Sequence, residues 1–369
     1  MALGRGLVGG DQIMYYPSMT QVTSLTVIKR ERLLPVRGEV LTSMGARVEP
    51  IDVVARASLG GDLHVVDVGK SLSAKSENLD KYLLKAVGDT VEEGEAIAAK
   101  GGGLIPLRRV CRSPVAGKIV AIGSGRVVLE SRAKTFELHA HFRGTVVSVM
   151  PSLGVVIKTV GALVQGVWGA GGEAQGVLKM LAEDPTEKLV AEAIDIGCHG
   201  SIIVGGSSVD EEALERAKQM QVRGLVVGSI GADWGERASD LPFPVIATEG
   251  MGQVPMASVV FELLRSNAGR EASISGVTRL RWGTVRPEII IPLQRRGATP
   301  PPQQLGGALE IGAQVRVIRQ PYLGSVGQVV SLPSQPRVVN SGARLRGAEV
   351  ELEGKGRVFV PYANLELIG

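Results

Sequence analysis

Gly312-Ala-Gln-Val-Arg-Val-Ile-Arg-Gln-Pro-Tyr-Leu-Gly-Ser-Val-Gly-Gln-Val-Val-Ser-Leu332 and, after an interruption, Gly356-Arg-Val-Phe-Val-Pro-Tyr-Ala-Asn-Leu-Glu-Leu-Ile368 are the two runs that decide how this chain ends. Val315, Val317 and then Val326 alternate with polar or small residues, the period-two pattern of half-buried strands. Pro321-Tyr322-Leu323-Gly324 breaks the first run with a turn, because Pro presets φ and Gly tolerates φ > 0. Working outward, the 369 residues exceed one ordinary core, so about two to four domains are expected. Forty-nine glycines against 4% aromatic residues point to many short strands on glycine turns, not to a helical bundle.

The order of the two runs resembles the KOW motif of ribosomal proteins and of the transcription factor NusG. That resemblance implies a small SH3-like barrel closed by a strand of the Val-Pro-x-x-Asn-Leu-Glu type, over roughly the last sixth of the chain. Members of the group use the turn region to contact RNA or protein. Here the turns carry Arg316, Arg319, Tyr322, Lys355 and Arg357. Arginine grips phosphate bidentately and a tyrosine ring stacks on an unpaired base. These five are the candidate nucleic-acid or partner-binding residues.

Charge distribution agrees in direction. The chain has 41 basic and 37 acidic residues, a net +4, and from Arg270 onward there are 13 Lys/Arg against 7 Asp/Glu. A basic C-terminal third beside a near-neutral body is what phosphate binding needs. Cys111 and Cys198 define no disulfide framework or metal-ligand spacing, which fits a reducing cytoplasm. Residues 1–26 lack a charged region followed by an apolar core, so no signal peptide is read. From Gly144 to Gly172 the only charge is Lys158, but valines, glycines and Pro151 favour buried strands over a membrane helix. A soluble cytoplasmic protein with no membrane partner is expected.

The N-terminal third repeats a phrase. Met44-Gly-Ala-Arg-Val-Glu-Pro-Ile-Asp-Val-Val-Ala returns as Val87-Gly-Asp-Thr-Val-Glu-Glu-Gly-Glu-Ala-Ile-Ala, and Ser113-Pro-Val-Ala-Gly-Lys-Ile-Val is echoed by Phe142-Arg-Gly-Thr-Val-Val. Each copy sets a glycine turn between short apolar strands, and the repetition points to related halves facing each other across a core. The pair of phrases resembles the two halves of a biotinyl/lipoyl-type domain, a barrel-sandwich hybrid. The segment between them, from Lys100, has neither the Asp-Lys nor the Met-Lys pair of those carriers. The resemblance therefore implies the fold without the modified lysine.

Beyond residue 195 the pattern changes. Gly200-Ser-Ile-Ile-Val-Gly-Gly, Gly224-Leu-Val-Val-Gly-Ser-Ile and Phe243-Pro-Val-Ile-Ala-Thr read as buried strands. Helices are expected from Ser208, with Ser208 and Glu211 as a capping box, to Val222, and from Met256 to Ser266. Strand–helix–strand units imply a parallel sheet. Its carboxyl edge gathers Gly205, Gly206, Ser207, Ser208, Gly228, Ser229, Thr248, Glu249 and Gly250, the candidate site for a small anionic ligand. No P-loop lysine follows, and Gly169-x-Gly171-x-x-Ala174 matches a dinucleotide fingerprint without the helix it requires. His139 and His141 alternate on one presumed strand face while His64 and His199 are scattered; neither they nor Cys198 form a metal or nucleophile constellation.

The expectation is a multidomain α/β and all-β protein. An extension (1–28) precedes a barrel-sandwich hybrid (29–160), a parallel α/β domain (161–293), a proline-rich linker (294–307) and an SH3-like barrel (308–369). The expected role is non-catalytic, with no cofactor and no metal: contact with RNA or a ribonucleoprotein or transcription-associated protein partner through the basic end. The alternative is an accessory subunit that senses a small anion at the strand ends.

Overall fold

The structure, a computed structural model, describes residues 19–73, 80–101, 109–278, 285–293, 308–339 and 341–368. The linker expected at 294–307 and most of the expected extension lie outside these residues. Among the described residues 48% are strand and 12% helix, distributed over several sheets. The expected fold class, with a separate parallel α/β domain, is thereby corrected. Parallel strands are present, but only as one part of a mixed sheet.

That sheet has eleven strands. Its parallel part runs Glu173–Met180, Ser201–Val204, Gly224–Ile230, Val245–Met251. Every residue of the two middle strands is buried, so both faces are covered and the sequence reads as an unbroken apolar run. Ile202, Val204, Val226 and Ile246 face the helix Ser258–Ser266 through Val260, Phe261 and Leu264. Ile203, Leu225, Val227 and Val245 face the helix Glu211–Gln219 through Ala213, Leu214 and Ala217. Beyond Glu173–Met180 the sheet turns antiparallel, through Glu271–Ser275 and Glu288–Pro292 to the long strand Gly154–Gln165.

Gly154–Gln165 pairs along its length with Val22–Leu33. The expected boundaries at 28/29 and 160/161 thus fall inside paired strands. The uncharged stretch after Gly144 forms the strands Gly144–Met150 and Gly154–Gln165 of this sheet. Among the described residues no helix is long and apolar enough to cross a membrane.

The repeated phrases make the same hydrogen bonds twice. Gly45 N–H donates to Val146 O and Val146 N–H to Ala46 O; Gly88 N–H donates to Ile119 O and Ile119 N–H to Asp89 O. Gly45 and Gly88 both have positive φ, 86° and 100°, which explains glycine at each turn. Gly144 and Thr145 pair with Val48 and Arg47, as Gly117 and Lys118 pair with Val91 and Thr90. The Asp52 carboxylate accepts from Glu49 N–H as the Glu95 carboxylate accepts from Glu92 N–H. One copy packs on the large sheet, its core joining Val54, Ala55 and Phe142 to Val155, Ile157 and Ile290. The other closes a core of its own around Ile97, Ile119, Val127 and Leu129.

At the C-terminus the strands Gln314–Val317, Val326–Ser331, Gly347–Leu352 and Gly356–Pro361 follow one another antiparallel. A 3-10 turn at Tyr362–Asn364 then sends Leu365–Ile368 back beside Gln314–Val317. Met19–Thr20 adds to the free side of that last strand, so the two ends of the described chain meet in one sheet.

Candidate functional site

The strand ends predicted to hold an anion are filled by the chain itself. A side chain on Gly206 would put its Cβ 2.5 Å from Asp184 O and Glu187 O, and one on Gly228 would lie 2.5 Å from Met256 N. Gly206 thus lies beneath the 184–187 segment and Gly228 beneath Val254–Met256, while Gly205 is buried against Leu189 and Val227 and Gly250 against Val167. Ser229 Oγ donates to Gly252 O at 3.0 Å and accepts from Val254 N–H at 2.8 Å, tying down the second segment. Ser207 is drawn into a ladder, donating through N–H to Glu187 O and accepting at its carbonyl from Ser229 N–H. Ser208 is not the helix cap: the Asp210 carboxylate accepts from Ala213 N–H at 2.9 Å, and the helix is Glu211–Gln219. The Thr248 hydroxyl donates to Val227 O at 3.4 Å.

Glu249, from the same set, and Arg316, from the other set, turn out to be partners. Arg316 is 3% exposed. Its Nη1 donates to Glu249 Oε2 and Thr248 O, each at 2.9 Å, and its Nη2 donates to Glu366 Oε2 at 2.5 Å and Thr20 Oγ1 at 3.1 Å. Arg286 completes the cluster on Thr20 Oγ1 at 2.8 Å and Glu366 Oε1 at 2.7 Å. Glu249 Oε1 accepts from Ala257 N–H, just before the helix Ser258–Ser266. Burial opposes the charge on Arg316, but Glu249 and Glu366 outweigh it and raise its pKa. Burial likewise pushes the Glu366 carboxyl up, and Arg316, Thr20 and Arg286 together pull it below its ordinary value. Arg316 therefore joins two sheets: its Nη atoms are taken up by these contacts, while its buried Nε has no hydrogen-bond partner among the described residues and the side chain lines a cavity with Val167, Glu249 and Arg286.

The other predicted contact residues divide between two places. Lys355 lies over the Tyr322 ring at 5.8 Å and donates to Ser325 Oγ at 2.8 Å, while Tyr322 packs its own edge on the C-terminal core. Arg319 is exposed on the turn before them. Arg357 stands on the outward face of Gly356–Pro361, where it and Arg337 hold the two oxygens of Glu349. Arg337 also lies over the Phe359 ring at 5.3 Å.

Arg337 belongs to a short hairpin, Arg337–Val338 against Arg344–Leu345, which the two sequence runs bracketed without reading. Arg344 and Arg346 are exposed and make no side-chain hydrogen bond or ion pair among the described residues. Val338 and Leu345 are exposed beside them. The signal was present as arginines on both sides of Asn340-Ser-Gly342, three turn-forming residues between apolar ones.

The remaining candidates separate. Trp168–Ala170 and Glu173–Met180 occupy distant positions in the large sheet, so the Gly169–Ala174 fingerprint spans a crossing and not a nucleotide turn. Cys198 is buried with Sγ on Asp195 Oδ1, and His199 Nδ1 lies 3.3 Å from Met220 O. His139 is exposed and His141 buried, in spite of their alternation. Among the described residues no group of three or more His, Cys, Asp or Glu is placed to hold a metal ion. No protein-family model and no curated protein matches the chain.

Proposed function

We propose that the protein binds RNA through the outward face of its C-terminal sheet. The observation that carries this reading is the basic character of this end of the sheet: Arg337 lies over Phe359 and shares Glu349 with Arg357, and exposed Arg344 and Arg346 stand on and just after the partner strand of the same hairpin. Glu349 and Glu351 offset part of that charge, while Arg344 and Arg346, exposed and without a side-chain partner among the described residues, can meet phosphates. Arginine with an aromatic ring serves single-stranded RNA, whose bases are open to stacking. The antiparallel succession of strands with the last returning to the first supports the KOW resemblance of this segment. Lys355 and Arg319 extend the basic character at the neighbouring turn.

Point substitution is the suitable test, because deleting the C-terminal sheet would strip Glu249 of its buried partner. Anisotropy of a labelled single-stranded RNA should show binding at about 50 mM salt that weakens steeply toward about 200 mM. The double change Arg344→Ser, Arg346→Ser should weaken it about tenfold or more and flatten the salt slope by about 0.7 per lost phosphate contact. Binding that survives the double change, or no binding at low salt, defeats the reading. Capture of a protein partner that is indifferent to nuclease would assign the face to protein docking instead.

A further inference from the structure

The two phrase copies act as an internal control for one residue. Ala140-His-Phe-Arg-Gly-Thr-Val146 occupies the place that Ser113-Pro-Val-Ala-Gly-Lys-Ile119 occupies in the other copy, as Ala140 N–H to Asp52 O and Ser113 N–H to Glu95 O confirm. His141 thus stands where the second copy has Pro114. Pro114 is exposed, while His141 is 6% exposed and has φ 76°. No proline adopts that conformation, and a non-glycine residue there is held against a local cost. It is held by His141 N–H donating to Pro50 O at 3.0 Å and by Ser273 Oγ donating to His141 O at 2.6 Å.

His141 lines a cavity of about 250 Å³, with Pro50, Ile51, Phe136, His139, Glu173 and Gln175. His141 Nδ1 lies 3.9 Å from Glu173 Oε2, and His141 Nε2 is buried with no hydrogen-bond partner among the described residues. Arg32 grips both oxygens of Glu173 at 2.6 and 2.7 Å and turns its Nε to His139 O. His139 Nδ1 lies 2.8 Å from Ile51 O; a carbonyl only accepts, so Nδ1 carries the hydrogen and the neutral tautomer this contact selects has its lone pair on Nε2.

We propose that this cleft binds a small primary ammonium ion with a short apolar body. The polar groups around it accept more than they donate. Glu173 keeps a spare lone pair on each oxygen, His139 offers Nε2, and neutral His141 leaves one ring nitrogen bare. An anion meets no unmatched positive charge, because Arg32 is paired with both oxygens of Glu173 and spends three of its five N–H donors on Glu173 and His139 O. A metal ion lacks a set of three ligands among the described residues. Ile51 and Phe136 are part of the lining, and an aromatic face attracts an ammonium group. The volume lies below that of drug-sized pockets, which restricts the body to a few carbons.

Three probes of one shape test this on the full chain: butylammonium, 1-butanol and butyrate. Calorimetric titration should show butylammonium binding about tenfold or more tightly than either of the others. His139→Ala, at an exposed position, should weaken butylammonium about tenfold with the melting temperature unchanged. Glu173→Gln should weaken it as well, with some loss of stability because Arg32 loses its ionic partner, and His141→Asn keeps a residue tolerant of positive φ while removing the imidazole. Equal binding of butanol would show a merely apolar hollow, and preference for butyrate an anion site. Either result, binding that survives His139→Ala with Glu173→Gln, or no binding of any probe overturns the proposal.

Discussion

Arg316 is a charge carried into the interior and matched there by two carboxylates from different elements. Removing one member of such a cluster strands the others without water. Arg316→Met should therefore cost about 3–5 kcal/mol in urea denaturation, and Arg316→Lys should recover only part, since an ammonium cannot span Glu249, Thr248 and Glu366 together. The acid limb has a definite sign. Glu366 is held below its ordinary value, so its contribution is full above about pH 4.3 and is lost as the pH falls toward its folded value. That limb should shrink in Arg316→Met. His141 acts in a higher range. Burial is the main cause that lowers its pKa; Glu173 and Glu288 oppose this and Arg32 adds to it. The unfolded chain takes up the proton at about pH 6.5 while the folded chain does not, so stability falls as the pH drops below that value. His141→Asn should flatten stability between about pH 7 and 5, and a slope unchanged by the substitution would disprove the assignment.

Elements were the most legible level of the sequence, and the helix at Glu211 shows where legibility ended. Ser208-x-x-Glu211 fits a capping box, yet the chain stays extended there. Leu189 and Val209 form a parallel bridge and Leu189 N–H donates to Ser208 O, which postpones the helix to Asp210. A contact made nineteen residues earlier in the chain, invisible to local pattern, overrode the local cap. Asp210→Ala should cost about 1 kcal/mol and Ser208→Ala less than about 0.5 kcal/mol in thermal or chemical denaturation. The reverse order would restore the capping box. The repeated phrases were more fully legible, because a glycine with positive φ and its partner valine or isoleucine lie within each phrase pair and recur together. The binding residues were the least so. Arg316 and Arg357 look alike in sequence, but Arg316 sits between two buried valines on a strand whose neighbours bring in Glu249 and Glu366, and that depends on tertiary partners.

At the scale of the whole molecule, alternation tells which face of a strand is buried but not which strand lies beside it. The expected boundaries at 28/29 and 160/161 for that reason divide Val22–Leu33 and Gly154–Gln165 among an extension and two domains, although the strands pair along their length. The same long-range pairing sets Met19–Thr20 beside Leu365–Ile368, and Arg316, Arg286, Glu249 and Glu366 fasten that sheet to the end of the parallel strands. A C-terminal module held in this way should not open alone. Amides of Val315–Val317 and Leu365–Leu367 should lose their hydrogen-exchange protection at the same denaturant concentration as those of Leu225–Val227 in the centre of the large sheet. Arg316→Met should separate the two groups, the C-terminal amides opening first, because the charged fastening is lost and only the apolar packing of Val326 and Ile368 on the large-sheet core still joins them. Independent opening in the unaltered protein would mean that the buried charges orient the C-terminal sheet without coupling its stability to the rest.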